Sequence, residues 1–335
     1  MGFNQEKITI SDVAEALGIS KTTVSRAISG KGRIGEETRQ KVIDYIREHD
    51  YVPSPIAKGL ANSRNYNIGW VMPGDSTVTD LPFFQRCMIG ISEIANKRDY
   101  DMILTLVYDG DITALERIVK NHKIDGIILG RTLIEDERVE FLKASNVPFV
   151  AIGSSEYREV IQIDNDHISA CKELTSVLIS KGIKKIALIG GKSNHVVNRT
   201  RLEGFKKGVK ESGLTVDEAH IFMDADDPVS VSQAVETALQ DKMDCIVCMD
   251  DRICLSALDC LKKDGVSIPK DIKIASFYNS SLLENYVPSI TALQYDPKVL
   301  GMEACNSLLD MIDGIDVPNR KLLGYEVVLK DSTKE

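Results

Sequence analysis

From position 67 onward the sequence alternates short apolar runs with helical stretches, and this alternation limits the fold more than any other feature. Strands buried on both faces have such runs, and βαβ units place about 10 or more helical residues between them. The length of this region, about 270 residues, suits two doubly wound domains with parallel sheets better than one. The strand candidates are NIGWVMPG, YDMILTLV, DGIILG, PFVAIG, KKIALIGG, AHIFMDAD, CIVCMDD and IKIASFY.

The first fifty residues predict three short helices around a small core. Thr9 and Asp12 have the spacing of a capping box, and Gly18 and Ser20 predict a tight turn into the second helix. Two helices joined in this way, the second polar and basic at its start, are typical of a helix-turn-helix. A three-helix bundle whose polar face is merely solvated has the same pattern. The outward side chains of the second helix are Lys21, Thr22, Thr23, Ser25 and Arg26.

Charge is distributed unevenly along the chain. The net charge is −9, but residues 1–65 carry a net +2 and the remaining residues a net −11. An acidic body repels nucleic acid, whereas a mildly basic head does not. The charge pattern therefore favours a single orientation on DNA, with the head as the contacting part.

The body has no arrangement typical of an enzyme. GGKS at 190–193 lacks the upstream glycine of a phosphate-binding P-loop, because Ile186 occupies that position. Neither a G-x-S-x-G elbow nor a GxGxxG after the first strand occurs. The five histidines are scattered, and we expect each to be a surface residue. We therefore expect no catalytic residues and no cofactor.

Cysteine usage and the distribution of apolar residues both bear on where the protein is located. Cys245 and Cys248 form a CxxC within an apolar run, but residues three apart on a strand point to opposite faces. We expect buried thiols there, not a metal site. The N-terminus has no apolar signal segment, and no apolar run is long enough to span a membrane. We expect a cytoplasmic protein without a membrane partner.

Residues 8–69 resemble one known family almost position for position. They contain T-I-x-D-V-A-x-x-x-G-[IV]-S-x-x-T-V-S-R, then T-R-x-x-V, then Y-x-P-x-x-x-A-x-x-L. This pattern resembles the N-terminus of the lactose-repressor (LacI/GalR) family of transcriptional regulators, which implies a head that binds double-stranded operator DNA. By position, the resemblance implies base contacts in the major groove from Lys21, Thr22 and Arg26. It implies phosphate contacts from Thr9, Ser11, Ser20, Thr23 and Ser25.

Residues 51–65 are expected to form a hinge. Pro55 suits a first helical turn, whereas Gly59 costs about 1 kcal/mol relative to alanine. A helix this short is unstable alone in water, so we expect it to fold on operator DNA. In the family this helix enters the minor groove. The resemblance assigns Ala57 and Leu60 to that contact, with Leu60 as the wedge in a central base step.

Residues just after the strands are the candidates for ligand binding, since ligands of doubly wound sheets lie beyond the carboxyl ends of the strands. Phe83 and Phe84 follow the first strand and are expected to supply aromatic surface to the other side of the cleft. The pair Asp250–Asp251 is compatible with acid–base chemistry, but a helix N-terminus explains it equally well. The full set is Pro73–Asp75, Gly130–Arg131, Gly153–Ser155, Asp250–Asp251 and Tyr278–Ser280.

The rest of the chain resembles the core of the same family, which shares its fold with periplasmic sugar-binding proteins. By position, Arg201 resembles the arginine that holds effector hydroxyls, and Asp250 resembles a second polar contact. Gly153 and Tyr278 stand where the family commonly has aspartate, and Tyr278 is suited to stack on a sugar face. Within the family the combination resembles repressors of maltose operons, which implies maltose or a malto-oligosaccharide as effector. The motifs are D-G-I-I-L at 125–129, V-P-F-V-A-I-G at 147–153, I-D-N-D at 163–166, R-L-E-G-F at 201–205, D-D-R-I-C-L at 250–255 and S-F-Y-N-S-S at 276–281.

The resemblance and the chain order together predict an all-α helix-turn-helix head and an α/β, periplasmic-binding-protein-like core of two doubly wound parallel-sheet lobes. A helix-turn-helix with a hinge wedge favours a homodimer on a palindromic operator. No heptad tail follows the last strand, so we expect no tetramer. A sugar-binding transport protein and a sugar-active enzyme remain alternatives. The expected parts are a head of 1–50, a hinge of 51–65 and a core of 66–335, with lobes of 66–165 plus 296–323 and of 166–295 plus 324–335.

Overall fold

The computed structural model describes residues 8–29, 32–49, 64–75, 82–215 and 217–334. The chain divides into two compact units, with the boundary between Asn65 and Tyr66. None of the helices in these stretches combines the length and the apolar character needed to cross a bilayer.

The described residues of the smaller unit form three helices: α1 (Ile10–Ala16), α2 (Lys21–Ser29) and α3 (Glu36–Glu48). The expected capping box is confirmed, because the Thr9 N–H donates to Asp12 Oδ2 at 2.7 Å and the Asp12 N–H donates to Thr9 Oγ1 at 3.4 Å. The turn into α2 is confirmed as well. Gly18 has a positive φ of 63°, and the Ser20 hydroxyl accepts from the Thr23 N–H at 3.1 Å. The buried core consists of Val13, Ala14, Val24, Ala27 and Val42.

The larger unit alternates strands and helices as the sequence predicts. Most helices begin after an aspartate, serine or other capping residue and follow an apolar strand, which is the βαβ arrangement. In chain order the elements are β1 (Asn67–Pro73), α4 (Pro82–Lys97), β2 (Asp101–Val107), α5 (Thr113–Lys120), β3 (Gly126–Leu129), α6 (Glu137–Ser145), β4 (Phe149–Ile152), β5 (Ile161–Asn165), α7 (His167–Ser180), β6 (Ile186–Ile189), α8 (Val196–Glu211), β7 (Ile221–Phe222), α9 (Pro228–Gln240), β8 (Cys245–Cys248), α10 (Asp251–Lys263), β9 (Lys273–Ser276), α11 (Ser281–Glu284), β10 (Thr291–Gln294), α12 (Pro297–Ile312), β11 (Arg320–Leu323) and β12 (Glu326–Val328).

In the described part of the larger unit the strands form two six-stranded sheets. The first has the order β11-β5-β4-β3-β1-β2, and all its pairs are parallel. The second has the order β12-β10-β9-β8-β6-β7 and is parallel except for the β10–β12 pair. With their helices these sheets form the first and second lobes, which confirms the predicted fold. Three of the strands, β5, β10 and β11, were not among the strand candidates. They have only four or five residues, some of them polar, so the sequence has no long apolar run at these positions.

Three described segments of chain connect the two lobes. They follow β5 at Asp166, β10 at Tyr295 and β11 at Gly324. As a result, α12 and β11 belong to the first lobe although the second lobe precedes them in the sequence. The buried core between α4, α12 and the first sheet includes Trp70, Ile91, Leu300 and Leu308.

Candidate functional site

A cavity of about 340 Å³ lies between the lobes, where strands of both sheets end. Such an edge is where ligands of doubly wound sheets bind. The structure brings together ten residues predicted from the sequence, but Pro73 is the last residue of β1 and does not line the cavity. The ten are Asp75, Phe83, Phe84, Gly130, Arg131, Gly153, Arg201, Asp250, Asp251 and Tyr278.

Aromatic rings form one wall of the cavity and come from both lobes. Phe83, on α4 of the first lobe, contacts Phe84 edge-on at 5.1 Å and Tyr278 edge-on at 5.9 Å between ring centroids. Tyr278 in turn stacks on Tyr295, with centroids 6.3 Å apart and an interplanar angle of 13°. Burial, followed by the charge of Asp251, raises the pKa of Tyr278, so its hydroxyl keeps its proton and can donate. The ring stack offers both a flat apolar face and a hydrogen-bond donor.

The loop that carries Arg131 is fixed by a buried ion pair. Arg138 Nε and Nη2 donate to the two oxygens of Asp136 at 2.7 and 2.6 Å, and Nη2 also donates to the Arg131 carbonyl at 3.0 Å. The Arg131 guanidinium itself contacts two groups through one nitrogen. Its Nη1 lies 3.5 Å from Asp75 Oδ2 and 3.3 Å from Nε2 of His195, which belongs to the second lobe.

Asp164 and His167 lie at the first connection between the lobes and were not singled out by sequence reasoning. Asp164 Oδ2 accepts from the Ser154 N–H at 2.7 Å and from its hydroxyl at 2.8 Å. His167 lies 3.4 Å from Asp164 Oδ1 and 3.2 Å from the Tyr295 hydroxyl. Burial opposes the charge on Asp164, but His167 and these hydrogen bonds outweigh it and lower its pKa.

The expected surface location of the histidines is wrong for His167, which is buried, and for His195, which lines the cavity. Their partners Tyr295 and Arg131 are 128 and 64 positions away in the sequence. No local spacing signals such pairs. Only the position of His167 directly after a strand could have indicated that it lies near the cleft.

Arg201 is the most buried cation of the second lobe that lines the cavity, with 8% of its surface exposed. Its Nε is buried and has no hydrogen-bond partner, and none of the described residues forms an ion pair with it. An arginine so placed keeps its donors for a bound molecule, since the described residues provide no acceptor for them.

The adjacent carboxylates of Asp250 and Asp251 lie at the start of α10 and accept hydrogen bonds there. Asp250 Oδ1 accepts from the Ile253 N–H at 2.8 Å, which is an N-cap contact. Asp251 is buried and accepts from the Ser280 hydroxyl. Burial, together with Asp250, raises the pKa of Asp251. The helix-terminus interpretation of this pair is therefore supported by its contacts.

The polar side chains of α2 in the smaller unit are directed to solvent. Lys21, Thr22, Ser25 and Arg26 are exposed. Among the predicted phosphate contacts, Thr9 and Ser20 already accept backbone N–H groups as helix caps, so these hydroxyls are held in place. The predicted minor-groove residues, Ala57 and Leu60, lie outside the described residues.

The cysteine pair is buried as predicted from its strand pattern. Cys245 and Cys248 lie on β8 and belong to two different core clusters, on opposite faces of the second sheet. Burial raises the pKa of both thiols, and Cys254 raises that of Cys248 further. Within the described ranges no three His, Cys, Asp or Glu side chains are arranged to hold a metal ion.

Comparison with known proteins agrees with both units. Residues 9–54 match bacterial regulatory proteins of the lacI family, and residues 175–333 match a periplasmic binding protein-like domain. The chain is similar to catabolite control protein A of Staphylococcus xylosus, with 30% identity over 334 residues that cover 98% of this chain and 99% of that protein. It is similar to the HTH-type transcriptional regulator MalR of Streptococcus pneumoniae, with 34% identity over 64% of this chain and 66% of that protein.

The solved structure of the transcriptional regulator CelR in complex with cellobiose is also similar. It has 25% sequence identity and a TM-score of 0.74, and the match covers 97% of this chain and 99% of that one. These matches confirm the resemblance found in the sequence. The chain belongs to the lacI family of bacterial regulatory proteins and is a DNA-binding transcriptional regulator.

Proposed function

We propose that this regulator is a repressor that binds a palindromic operator as a homodimer and changes its operator affinity when a sugar binds between its lobes. The observation that carries the proposal is the cavity itself. It has an aromatic wall formed by both lobes and a buried arginine, Arg201, that lacks a partner among the described residues.

The lining chemistry supports a sugar. Aromatic rings such as Phe83 and Tyr278 provide flat faces for the C–H surfaces of a pyranose ring, while Arg201 and Asp250 provide a donor and an acceptor for hydroxyl groups. A cavity of about 340 Å³ is at the small end of ligand sites, which suits one or two sugar rings. The resemblance to maltose-operon repressors and the cellobiose bound to CelR both favour a glucoside. We propose maltose or a malto-oligosaccharide as the first candidate.

On DNA, we propose that Lys21, Thr22 and Arg26 read base edges in the major groove. Their exposure on α2 supports this assignment, and an arginine that pairs with a guanine edge supplies about 1–3 kcal/mol of discrimination. Thr9, Ser11, Ser20, Thr23 and Ser25 are proposed as phosphate contacts that set the register. A two-fold operator follows from two such heads in a homodimer.

The switch that we propose acts through the angle between the lobes. A sugar that contacts Phe83 and Tyr278 touches both lobes at once, so its binding free energy depends on their relative position. In the family pattern, a change of lobe angle separates the two hinge segments of the dimer, and Leu60 then no longer wedges between base pairs. The cleft binds and releases its ligand unchanged in this proposal.

The test begins with calorimetric titration of the purified chain with maltose, maltotriose, other disaccharides and purines. We expect saturable binding of a maltosaccharide, recovery of the unaltered sugar, and weaker binding by Tyr278→Leu. Tyr108→Leu is a matched control, because Tyr108 is exposed and does not line the cavity. An operator selected from random duplex DNA then reports whether the sugar changes its affinity. Binding of a purine instead, or an operator affinity that no ligand changes, would contradict the proposal.

A further inference from the structure

Arg131 adds a second under-paired cation to the cavity, from the lobe opposite Arg201. It has 8% of its surface exposed, as has Arg201. Both of its contacts, to Asp75 at 3.5 Å and to the imidazole of His195 at 3.3 Å, use the single nitrogen Nη1. In the described part of the protein, Nε and Nη2 have no partner. Guanidinium groups carry five N–H donors, so most of the Arg131 donors remain available to a ligand.

The N-terminus of α8 adds a third positive feature at the same cavity. This helix has 16 residues, and its N-cap, His195, makes no side-chain capping bond. Val197 and Asn198 of its first turn line the cavity, as does Arg201 one turn further on. The Val196 and Asn198 N–H groups already donate to the Thr132 and His195 carbonyls, at 3.3 and 3.0 Å, so the contribution of α8 is mainly its helix dipole, which favours an anion at this end.

The protonation of His195 is affected by its burial and by these positive charges. Burial, followed by the charges of Arg131 and Lys192, lowers the pKa of His195 to about 3, and the opposing charge of Asp109 does not offset this. The imidazole is therefore neutral near pH 7 and adds no positive charge of its own. Its Nε2 faces Arg131, which fixes that guanidinium at the start of α8.

Most of the carboxylates that line the cavity use their oxygens as acceptors for donors other than Arg131 and Arg201. Asp164 accepts from Ser154, Asp250 caps α10, and Asp251 accepts from Ser280. Lys192 has its own partner, Asp109, at 3.6 Å. Asp75 pairs with Arg131 through Nη1 alone, and no lining carboxylate of the described residues forms an ion pair with Arg201.

We infer that the ligand of this cleft is a sugar that carries an anionic group, a phosphate or a carboxylate, bound by Arg131, Arg201 and the start of α8. Burial of Arg201 without a partner among the described residues is costly, and an anionic ligand that contacts it and also the unused donors of Arg131 lowers that cost. Arginine suits the task because its donors match two oxygens of either group. The inference rests on the proposed sugar-binding role of the cleft and names the class of sugar.

The first test uses inorganic phosphate as the probe and the melting temperature of the full chain as the readout. Phosphate is compared with chloride at equal ionic strength for the wild type, Arg131→Gln, Arg201→Gln and the control Arg117→Gln, an exposed arginine on α5. We expect a saturable rise of several degrees in the wild type and the control, reduced at least by half in the two cavity variants. The separate chloride curves show whether each variant is folded. Equal rises in all four proteins, or none in the wild type, would overturn the inference.

The second test compares maltose with maltose 6′-phosphate and maltobionate by calorimetry, which separates a phosphate from a carboxylate source. We expect one charged form to bind at least tenfold more tightly than maltose, and to lose at least tenfold in Arg131→Gln, a larger loss than maltose shows. Maltose binding as tightly as both charged forms would overturn the anionic ligand but leave the sugar effector intact. Absence of binding by all three sugars would contradict both the anionic ligand and the sugar effector.

Discussion

Gly90 on α4 and Gly301 on α12 each lie against the backbone of the other helix. A Cβ atom on Gly90 would lie 2.0 Å from the Lys298 carbonyl oxygen, and one on Gly301 would lie 2.2 Å from the Cys87 carbonyl oxygen. These distances leave no room for a methyl group, and backbone atoms cannot rotate away. The close approach lets the apolar side chains of both helices share one core with the first sheet.

Gly90→Ala is therefore expected to destabilise the larger unit by at least about 2 kcal/mol, because the helices must move apart. Urea unfolding followed by tryptophan fluorescence measures this, since Trp70 lies in the same core. Gly324→Ala is the control. Its Cβ would have no atom within 4 Å, so a change within about 0.5 kcal/mol is expected. Equal stability of the two variants would mean that the helix contact is not as tight as described.

The contacts of His220 predict that the folded protein loses stability at alkaline pH. Its ring nitrogens lie 2.8 Å from Asp217 Oδ2 and 2.9 Å from Asp241 Oδ2. The hydrogen bond to Asp241, followed by that to Asp217, raises the pKa of His220 above its ordinary value of 6.5. The folded state therefore binds this proton more tightly than the unfolded state, so the stabilisation is fully present below pH 6.5 and disappears as pH rises through the raised pKa.

The measurement is the difference in melting temperature between the wild type and His220→Asn from about pH 6 to pH 9. The wild type should be the more stable at the acid end, and the gap should narrow toward the alkaline end. His122→Asn is the control, since His122 is exposed and its positive φ of 48° suits asparagine. A gap that stays constant with pH would rule out the charged His220.

Arg201→Gln is expected to stabilise the protein in the absence of ligand, by about 1 kcal/mol, because it removes a buried charge that no described residue pairs with. Arg201→Lys keeps the charge and should give no gain. Melting temperatures in a buffer free of sugars and multivalent anions decide between these outcomes. A clear loss of stability in Arg201→Gln would mean that the arginine supports the fold instead of a ligand.

Arg26→Ala is expected to weaken operator binding by about 1–3 kcal/mol and to relax the base preference at one position in each half-site. Gel-shift titration of the selected operator and of its single-base variants measures both effects. Arg47, exposed near the end of α3, provides the control Arg47→Ala, which should keep the base preference unchanged. Uniform weakening over all sequences by Arg26→Ala would reassign Arg26 to a phosphate contact.

Leu60→Ala is expected to reduce specific operator binding and to spare non-specific DNA binding, since only the specific complex requires a wedge between base pairs. Competition between the operator and random duplex DNA at one salt concentration gives the ratio directly. An equal loss of both kinds of binding would contradict the wedge.

The capping and turn features and the presence of two sheets were predictable from the sequence, whereas individual long-range side-chain contacts were not. The Thr9–Asp12 capping box and the Gly18 turn follow from residues within one helical turn of each other, and both are present. The two sheets follow from the alternation of apolar runs and helices. The lowered pKa of His195, by contrast, results first from its burial in the cleft and then from Arg131, which lies 64 positions earlier.

At the edge of the cavity, the sequence likewise does not predict which individual residues line it. Knowing that β1 ends near Pro73 predicts that the next few residues face the cleft, but not that Asp75 lines it and Pro73 does not. That choice depends on where the loop turns after the strand. Partnerships such as Asp164 with Ser154 are likewise set by the pairing of β4 with β5.

The chain order of α12 and β11 has a consequence for synthesis on the ribosome. The helix that covers the core beside α4 is encoded after all the parallel strands of the second lobe. A nascent chain thus holds five of the six strands of the first sheet, without α12 beside Trp70 and Ile91, until residues 297–312 leave the exit tunnel. The lobe that is translated first is completed last, and in the meantime its apolar face is open to chaperones.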